Sequence, residues 1–221
     1  MDIISVNLGT VEELVSVLRG CGLKGDSSIL PYEQAQISIE SVSIENLVPL
    51  AKYYLEEKIR QIALVHNRLK LKEFDIFNLR GRLTWMDGRI VRVIAPPIVE
   101  LWENEGHLLV DGMHRVCLAR QRGRSTITCA VIRGVTTPLV PLPTVWEKVR
   151  SYPPGEMPGG SEKRDYRFQD AASLRDTMPG IRDKVTDQNY QYFLFRDLGA
   201  LGSSGIRETS DNGTTGGISS D

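Results

Sequence analysis

Residues that hold small secreted proteins or metal centres together are scarce in this sequence. Among 221 residues there are three cysteines and three histidines, and their spacing matches no zinc-binding pattern. The cysteines, Cys21, Cys117 and Cys129, are far apart and odd in number, which is typical of reduced thiols in a cytoplasmic protein. We therefore expect neither a disulfide framework nor a metal site.

Long apolar runs and a strong net charge are missing as well. No apolar stretch approaches the ~20 residues of a membrane helix, and the chain does not open with the basic and apolar regions of a secretory signal. The net charge of −1 argues against a general coat for nucleic acid, although it leaves room for a local basic patch. The composition predicts a soluble, cytoplasmic protein without a membrane partner.

The residues that are present divide the chain into four predicted segments. Residues 1–36 hold a short helix, which begins with the capping-box spacing of Thr10 and Glu13, and a loop. Residues 37–137 form the main domain. Residues 138–198 form a proline-rich extension whose aromatic-rich end, 189–198, docks back onto the domain. Residues 199–221, rich in Gly, Ser and Thr, form a disordered tail.

The main domain shows strand and helix periodicities in turn. We predict a strand at 37–42, a helix at 48–70, hairpins at 83–94 and 98–110, a helix at Met113–Gln121 and a strand at 126–132. The first hairpin turns at Asp87-Gly88, a pair that suits a tight type I′ turn. The predicted fold class is α/β (α+β), a small mixed sheet built around the two hairpins with flanking helices on one side.

The junction between the second hairpin and the next helix makes the most specific chemical suggestion. The apolar run ends at Asp111 and Gly112, and His114 and Arg115 then open the helix. A helix N-terminus presents unpaired N–H groups and partial positive charge, so it is a natural seat for phosphate. Gly112 would admit a phosphate close to the backbone, Arg115 would clamp its oxygens, and His114 would hydrogen-bond it or move a proton.

Asp111 has several candidate roles at this junction. Its carboxylate can orient His114, help to hold Mg²⁺, act as a base toward a hydroxyl group, or cap the helix. An Asp at an N-cap stabilises a helix by about 1 kcal/mol without any ligand, so the short motif by itself favours a structural role.

The residues around the junction follow a wider pattern. An apolar strand at 108–110 leads into Asp111 to Arg115, then a short helix that contains alanine, a turn at Gly123 and a strand at 126–131. The segment 95–99 supplies a Pro-Ile-Val strand upstream. In this order residues 98–134 resemble the N-terminal domain of ParB-type partition proteins and the wider ParB/sulfiredoxin superfamily, and the likeness in arrangement extends over 37–134.

The resemblance implies contacts to nucleotide phosphates from Gly112, His114 and Arg115. It does not select a reaction, because the superfamily includes CTP-hydrolysing partition clamps, ATP-dependent sulfiredoxins and a free-serine kinase. Met113 stands where sulfiredoxins carry their reactive cysteine, which argues against that chemistry. Residues 135–221 are too rich in proline and glycine to supply the two further domains of a partition protein.

The form Asp-Gly-x-His-Arg is that of the kinase-like members. In that case Asp111 would help to activate an acceptor or a metal, and a second acid is expected near the first strand. Glu40 and Glu45 are the available candidates, with ordinary solvated glutamates as the alternative.

Basic residues elsewhere offer a weaker signal. Arg120, Arg122, Arg124 and Arg133 surround the site helix, where they would steer an anion or touch a nucleic-acid backbone, or simply complement the helix dipole. The segment 163–168 mixes basic and aromatic residues and suits either single-stranded nucleic acid or an ordinary surface turn.

Two functions remain open. The first is a nucleotide- or phosphate-dependent enzyme, a kinase or nucleotide hydrolase, that uses a nucleoside tri- or diphosphate with Mg²⁺ at the Asp111–Arg115 junction. The second is a non-catalytic ParB-like module that senses a nucleotide or contacts DNA or a protein partner. A nuclease ranks last, because no convincing cluster of metal-binding carboxylates occurs in the sequence.

Overall fold

The computed structural model describes residues 3–88 and 90–201. In chain order its elements are β1 (Ile3–Leu8), α1 (Val11–Arg19), β2 (Gln36–Ser43), β3 (Leu47–Pro49), β4 (Tyr53–Leu55), α2 (Glu56–Lys70), β5 (Leu83–Asp87), β6 (Ile90–Ile94), β7 (Ile98–Trp102), β8 (Gly106–Asp111), α3 (Met113–Gln121), β9 (Thr126–Arg133), β10 (Arg150–Tyr152), α4 (Gly160–Lys163), α5 (Ala171–Thr177) and α6 (Tyr190–Phe193). Within these ranges, no helix combines the length and apolar character needed to cross a membrane.

The largest sheet carries the junction. Its five strands have the order β2-β9-β7-β8-β3. Strand β7 is antiparallel to β8 and parallel to β9, while β2 is antiparallel to β9 and β3 is parallel to β8. The predicted class, α/β with a small mixed sheet and flanking helices, is confirmed.

Helices cover both faces of this sheet. Along β9 the side chains alternate between two apolar cores, as the period of a strand requires. Cys129 and Val131 belong to the core that contains the apolar faces of α2 and α3, whereas Ala130 and Ile132 pack in the core that contains Leu14 of α1. The prediction of helices on one side only is wrong, because the amphipathic helix α1 also has an apolar face to bury.

Both predicted hairpins form, but they belong to different sheets. Strands β5 and β6 pair antiparallel from Leu83↔Ile94 to Asp87↔Ile90, and β7 pairs with β8. The first hairpin joins β1 in a separate sheet of order β1-β5-β6. Pro96 and Pro97 follow β6 after a single residue, Ala95, and proline cannot donate a ladder hydrogen bond, so the chain leaves that sheet there. Arg89, predicted to begin the second strand of the hairpin, lies outside the described residues.

Two predictions near the start of the chain need correction. Residues 1–36 contain more than helix and loop, because the β-branched segment Ile3–Leu8 forms a strand and pairs with β5; residues 1 and 2 lie outside the described ranges. The helix expected at 48–70 begins only at Glu56. The residues before it form β3 and β4, which pair in parallel with β8 and β10. The capping box of α1 and the bounds of α3 are confirmed.

The proline-rich extension folds against the domain. Strand β10 pairs with β4, and Trp146 Nε1 donates to the Leu47 carbonyl oxygen at 2.7 Å. The aromatic-rich end docks as predicted, with Phe193 buried in a third apolar core and Leu198 in the core of α1. The predicted tail is wrong at its start, because Gly199–Leu201 forms a 3₁₀ turn that buries Leu201. Residues 202–221 of that tail lie outside the described residues.

Candidate functional site

Strand β8 and helix α3 meet at Gly112, a position that accepts only glycine. The residue has φ +94°, in the left-handed region where a side chain is strained. A Cβ placed there would lie 2.7 Å from the Cβ and 2.9 Å from the Cα of Pro97. Whatever it does for a ligand, Gly112 therefore has a structural role: it lets the chain turn from β8 into α3 against Pro97.

Arg115 points into the protein. Only 5 % of the residue is exposed. Its Nη1 donates to the carbonyl oxygen of Ala95, and its Nη2 lies 3.7 Å from Asp111 Oδ2. The guanidinium thus ties the first turn of α3 to the end of β8 and to the segment after β6. It is not placed as an open clamp for a ligand.

Asp111 lies at the border between this interior and the solvent. Its side chain is 15 % exposed. Burial raises the pKa of the carboxyl to about 6, against the opposing effects of the Arg115 charge and the Gly112 backbone N–H. Asp111 does not cap α3, because Gly112 is the N-cap residue and no side chain caps it. A carboxyl with this pKa exchanges a proton close to neutral pH.

His114 connects α3 to α2. Its Nε2 accepts a hydrogen bond from the backbone N–H of Leu55, the N-cap residue of α2, at 3.1 Å. Burial, and next the charge of Lys58, lower the pKa of the imidazole to about 4. The ring is therefore neutral at pH 7, and its acceptor nitrogen holds the start of α2 beside the start of α3.

Neither candidate for a second acid approaches Asp111. Glu40 lies on β2, three strands from β8 in the sheet order and so roughly 14 Å away. It pairs with Arg133 at 2.6 and 2.9 Å, and these hydrogen bonds lower the pKa of Glu40 to about 2. Glu45 is exposed before β3, which pairs with the opposite end of β8 from Asp111, at His107. The structure does not bring these acids together.

A cleft of about 1070 Å³ opens beside the junction. Asp111 and Met113 line it from the junction, Lys58 lines it from α2, and residues 195–200 form another wall. A cleft of this volume suits a small organic molecule of nucleotide size better than a single inorganic anion. The N-terminus of α3, which has no acidic residue in its first turn, borders this space.

The cleft contains cations without acidic partners. Lys24, Lys58 and Arg164 line it, and within the described part of the chain none of them forms an ion pair with a carboxylate. The Nε of Arg164 is buried without a hydrogen-bond partner among the described residues. Asp197, on the C-terminal wall, and Asp111 are the carboxylates of the lining. The balance of charge favours an anionic ligand.

A buried ion pair holds the C-terminal wall in place. Glu100 of β7 is fully buried and accepts hydrogen bonds from Tyr32 Oη at 2.7 Å and Trp102 Nε1 at 2.9 Å. Arg196 donates to the same carboxylate through Nε at 2.8 Å and Nη2 at 3.2 Å, and also to the Thr137 carbonyl oxygen at 2.7 Å. Every oxygen of the buried carboxylate is satisfied, so the contact fixes residues 195–200 against the sheet.

The arginines predicted to surround the site helix are dispersed over contacts within the protein. Arg120 lies over the Trp146 ring, Arg122 donates to Asn67, Arg124 pairs with Asp75, and Arg133 pairs with Glu40. The segment 163–168 divides in the same way, because Arg167 pairs with Glu105 while Arg164 faces the cleft.

The cysteines and possible metal ligands add no further site. Cys21, Cys117 and Cys129 are free and buried, as expected for reduced thiols. Burial raises the pKa of Cys117 to about 12, which keeps its thiol protonated and unreactive. No group of three or more His, Cys, Asp or Glu side chains able to hold a metal occurs among residues 3–88 and 90–201.

Sequence reasoning located the junction but missed the free cations of the cleft. Lys58 looks like any lysine of an amphipathic helix, and Lys24 lies in a loop without a motif. One signal was available for the C-terminal wall: Glu100 interrupts the apolar strand β7, and a buried carboxylate requires a cationic or donor partner from elsewhere in the chain.

Comparison with known proteins identifies a family for this chain. The family model described as the ParB CE domain matches residues 13–150, more than half of the chain, and the match includes the whole Asp111–Arg115 junction. No curated protein and no solved structure matches the chain.

Proposed function

The chain belongs to the ParB CE domain family, and we propose that it binds a nucleotide, with the phosphates at the N-terminus of α3. One observation carries the proposal. The N-terminus of α3 borders a cleft of about 1070 Å³ whose cations Lys24, Lys58 and Arg164 have no carboxylate partner within the described residues. A helix N-terminus together with unpaired cations is an arrangement that attracts phosphate.

Lys58 is the cation that belongs to the junction itself. It lines the cleft from the first turns of α2, and its charge contributes to the lowered pKa of His114, so it lies close to the start of α3. The hydrogen bond from Leu55 to His114 holds α2 in that position. His114 thus supports phosphate binding by positioning Lys58.

Asp111 is the group that supports a reaction. Its carboxyl lines the cleft, and a pKa of about 6 suits a residue that accepts a proton from a hydroxyl group near neutral pH. Asp111 and Asp197 are also the carboxylates that would hold a Mg²⁺ ion accompanying the nucleotide. The form Asp-Gly-x-His-Arg, typical of kinase-like relatives, supports phosphoryl transfer as the reaction class.

The proposal is tested by calorimetric titration of ATP, ADP, CTP and GTP, each with Mg²⁺, into the purified protein and the variant Lys58→Gln. We expect one nucleotide to bind and its affinity to fall by about 10-fold or more in the variant, as for the loss of a charged hydrogen bond. Lys70→Gln is the matched control, because Lys70 lies exposed at the far end of the same helix. Binding of no nucleotide, or equal affinity in Lys58→Gln, would overturn the proposal.

A second candidate function, nucleotide sensing without turnover, is favoured by the state of two site residues. Arg115 and the Nε2 of His114 make their hydrogen bonds within the protein, so neither group is placed to act on a ligand. Of the predicted site residues, Asp111 then remains as the proton-transfer group, which is fewer groups than the predicted enzyme site contains. A single-turnover assay of phosphate release or transfer separates the two functions. Turnover that is lost in Asp111→Asn supports the enzyme, and stable binding without turnover supports the sensor.

A further inference from the structure

Two cations of the cleft each lie over the ring of Phe195. The Nζ of Lys24 lies 5.9 Å, and the Cζ of Arg164 5.2 Å, from the centroid of the Phe195 ring. The backbone reinforces the arrangement, because the N–H of Lys24 donates to the carbonyl oxygen of Phe195 at 2.8 Å. All three residues line the cleft.

The charges of this pair are not neutralised within the described part of the chain. Lys24 and Arg164 form no ion pair there, whereas the neighbouring Lys52 pairs with Asp165. The carboxylate of Asp197 lines the same cleft and accepts the backbone N–H of Gly199 at 3.3 Å. Like charges repel, and the ring face compensates only part of that repulsion. An anion would compensate the rest, and the unpartnered, buried Nε of Arg164 fits the same conclusion.

We propose that Lys24, Arg164 and Phe195 form a second anion subsite in the cleft, which takes the distal phosphates of a nucleoside triphosphate. The inference rests on the proposed function, which places another phosphate of the same ligand beside Lys58 at the start of α3. Arg164 and Phe195 lie outside the matched residues 13–150, so two of the three residues of the subsite come from this chain's C-terminal extension, while Lys24 comes from the matched part. Phe195 acts here as a positioning residue that keeps the two cations together.

The test compares a nucleoside triphosphate with its own monophosphate. Calorimetry with Mg²⁺ uses whichever of ATP, CTP and GTP binds best, and then AMP, CMP or GMP to match. In Arg164→Gln and in Lys24→Gln we expect the triphosphate affinity to fall by about 10-fold, while the monophosphate affinity stays within about 3-fold of the unmodified protein. Arg182→Gln and Lys72→Gln are matched controls, since both residues are exposed and neither lines the cleft.

Phe195→Leu tests the positioning role. It keeps an apolar side chain but removes the ring, so we expect the triphosphate affinity to fall and the monophosphate affinity to remain. Melting curves of each variant show whether the fold is intact, and Arg164→Lys, which keeps a cation, provides a second variant at that position.

The outcomes separate this inference from the proposed function. If Lys58→Gln weakens binding but Arg164→Gln and Lys24→Gln bind the triphosphate normally, only the second subsite is overturned. Equal loss of monophosphate and triphosphate affinity in Arg164→Gln also overturns it, because Arg164 would then contact the first phosphate. If no nucleotide binds the unmodified protein, both proposals are wrong.

Discussion

The junction at the start of α3 and the cations Lys24 and Arg164 beside the C-terminal wall of the cleft hold their charges in opposite ways. At the junction, Arg115 is 5 % exposed and donates a hydrogen bond to a backbone carbonyl group, and His114 accepts a hydrogen bond from a backbone N–H group. Beside the wall, Lys24 and Arg164 face the cleft and form no ion pair among the described residues. Within the motif, Arg115 and His114 therefore build the shape of the site, whereas Lys24 and Arg164, outside the motif, provide positive charge that faces the cleft.

The comparison explains why a short motif locates a site without listing its binding residues. The order Asp111 to Arg115 specifies a turn and a buried guanidinium, both of which depend on local sequence. Free cations depend on which distant segments the fold brings to the cleft, and those segments carry no local signature.

The largest expected effect comes from breaking the ion pair that holds the wall. Arg196→Met should lower the free energy of unfolding by about 3–5 kcal/mol, because the Glu100 carboxylate is fully buried and would lose its cationic partner. Urea denaturation measures the change.

Lys148→Met, at an exposed residue outside this network, is the control and should change the free energy of unfolding by less than about 0.5 kcal/mol. A loss of less than about 1 kcal/mol in Arg196→Met would show that the ion pair does not anchor the wall.

The second effect concerns the junction. Arg115→Met should cost about 2–4 kcal/mol of unfolding free energy, since it removes the bond to the Ala95 carbonyl oxygen and the partner of Asp111. A stable Arg115→Met protein that has lost only nucleotide binding would instead make Arg115 an open phosphate clamp and reverse the comparison. Thermal melting and titration of the same sample separate the two results.

The fold was predictable where periodicity is local. The two hairpins alternate clearly between apolar and polar residues, and α3 lies between Gly112 and Gly123, so its bounds follow from the sequence. Strands β3 and β4 have three residues each, too few to show a period, and all of them except Leu47 fall within the predicted helix. Their pairing with β8 and β10 is a tertiary effect.

The site was predictable only in part for the same reason. The position of the junction followed from Asp111 and Gly112, but the burial of Arg115 depends on Ala95, which lies in another segment. The contacts of Glu100 with Tyr32 and Arg196 span 68 and 96 residues of sequence, distances at which a single sequence carries no pairing signal. An unpaired lysine such as Lys58 looks the same in sequence whether it lines a cleft or faces solvent.

The pH dependence of stability gives a smaller, signed effect at the junction. The pKa of Asp111 is raised from 3.8 to about 6, so the folded protein binds this proton more tightly than the unfolded chain does. As the pH rises from 4 to 7 the proton is lost, and the free energy of unfolding decreases. Asp111→Asn should therefore gain about 1–3 kcal/mol of unfolding free energy relative to the unmodified protein over that range. Urea denaturation at several pH values measures it.

His114 provides a control of opposite sign. Its pKa is lowered from 6.5 to about 4, so it stabilises the folded protein above pH 6.5 and loses this contribution as the pH falls toward 4. The free energy of unfolding of His114→Asn, relative to that of the unmodified protein, should thus decrease as the pH rises from 4 to 7. If the free energies of unfolding of Asp111→Asn and His114→Asn, each relative to the unmodified protein, changed with pH in the same direction, the assigned pKa shifts of these groups would be contradicted.

The smallest expected effect on stability lies in the cleft, and it sharpens the comparison most. Lys58→Gln and Lys24→Gln should change the free energy of unfolding by less than about 1 kcal/mol without nucleotide, because neither side chain has an ionic partner to lose among the described residues and Lys24 gives up only its contact with the Phe195 ring. With nucleotide in excess, the proposed binding should add stability to the unmodified protein and less to these variants, since the added stability follows the ratio of ligand concentration to Kd. Melting temperatures with and without nucleotide show both effects in one experiment. A loss of stability in the ligand-free variants would mean that the charges of Lys58 and Lys24, like that of Arg115, are used within the protein.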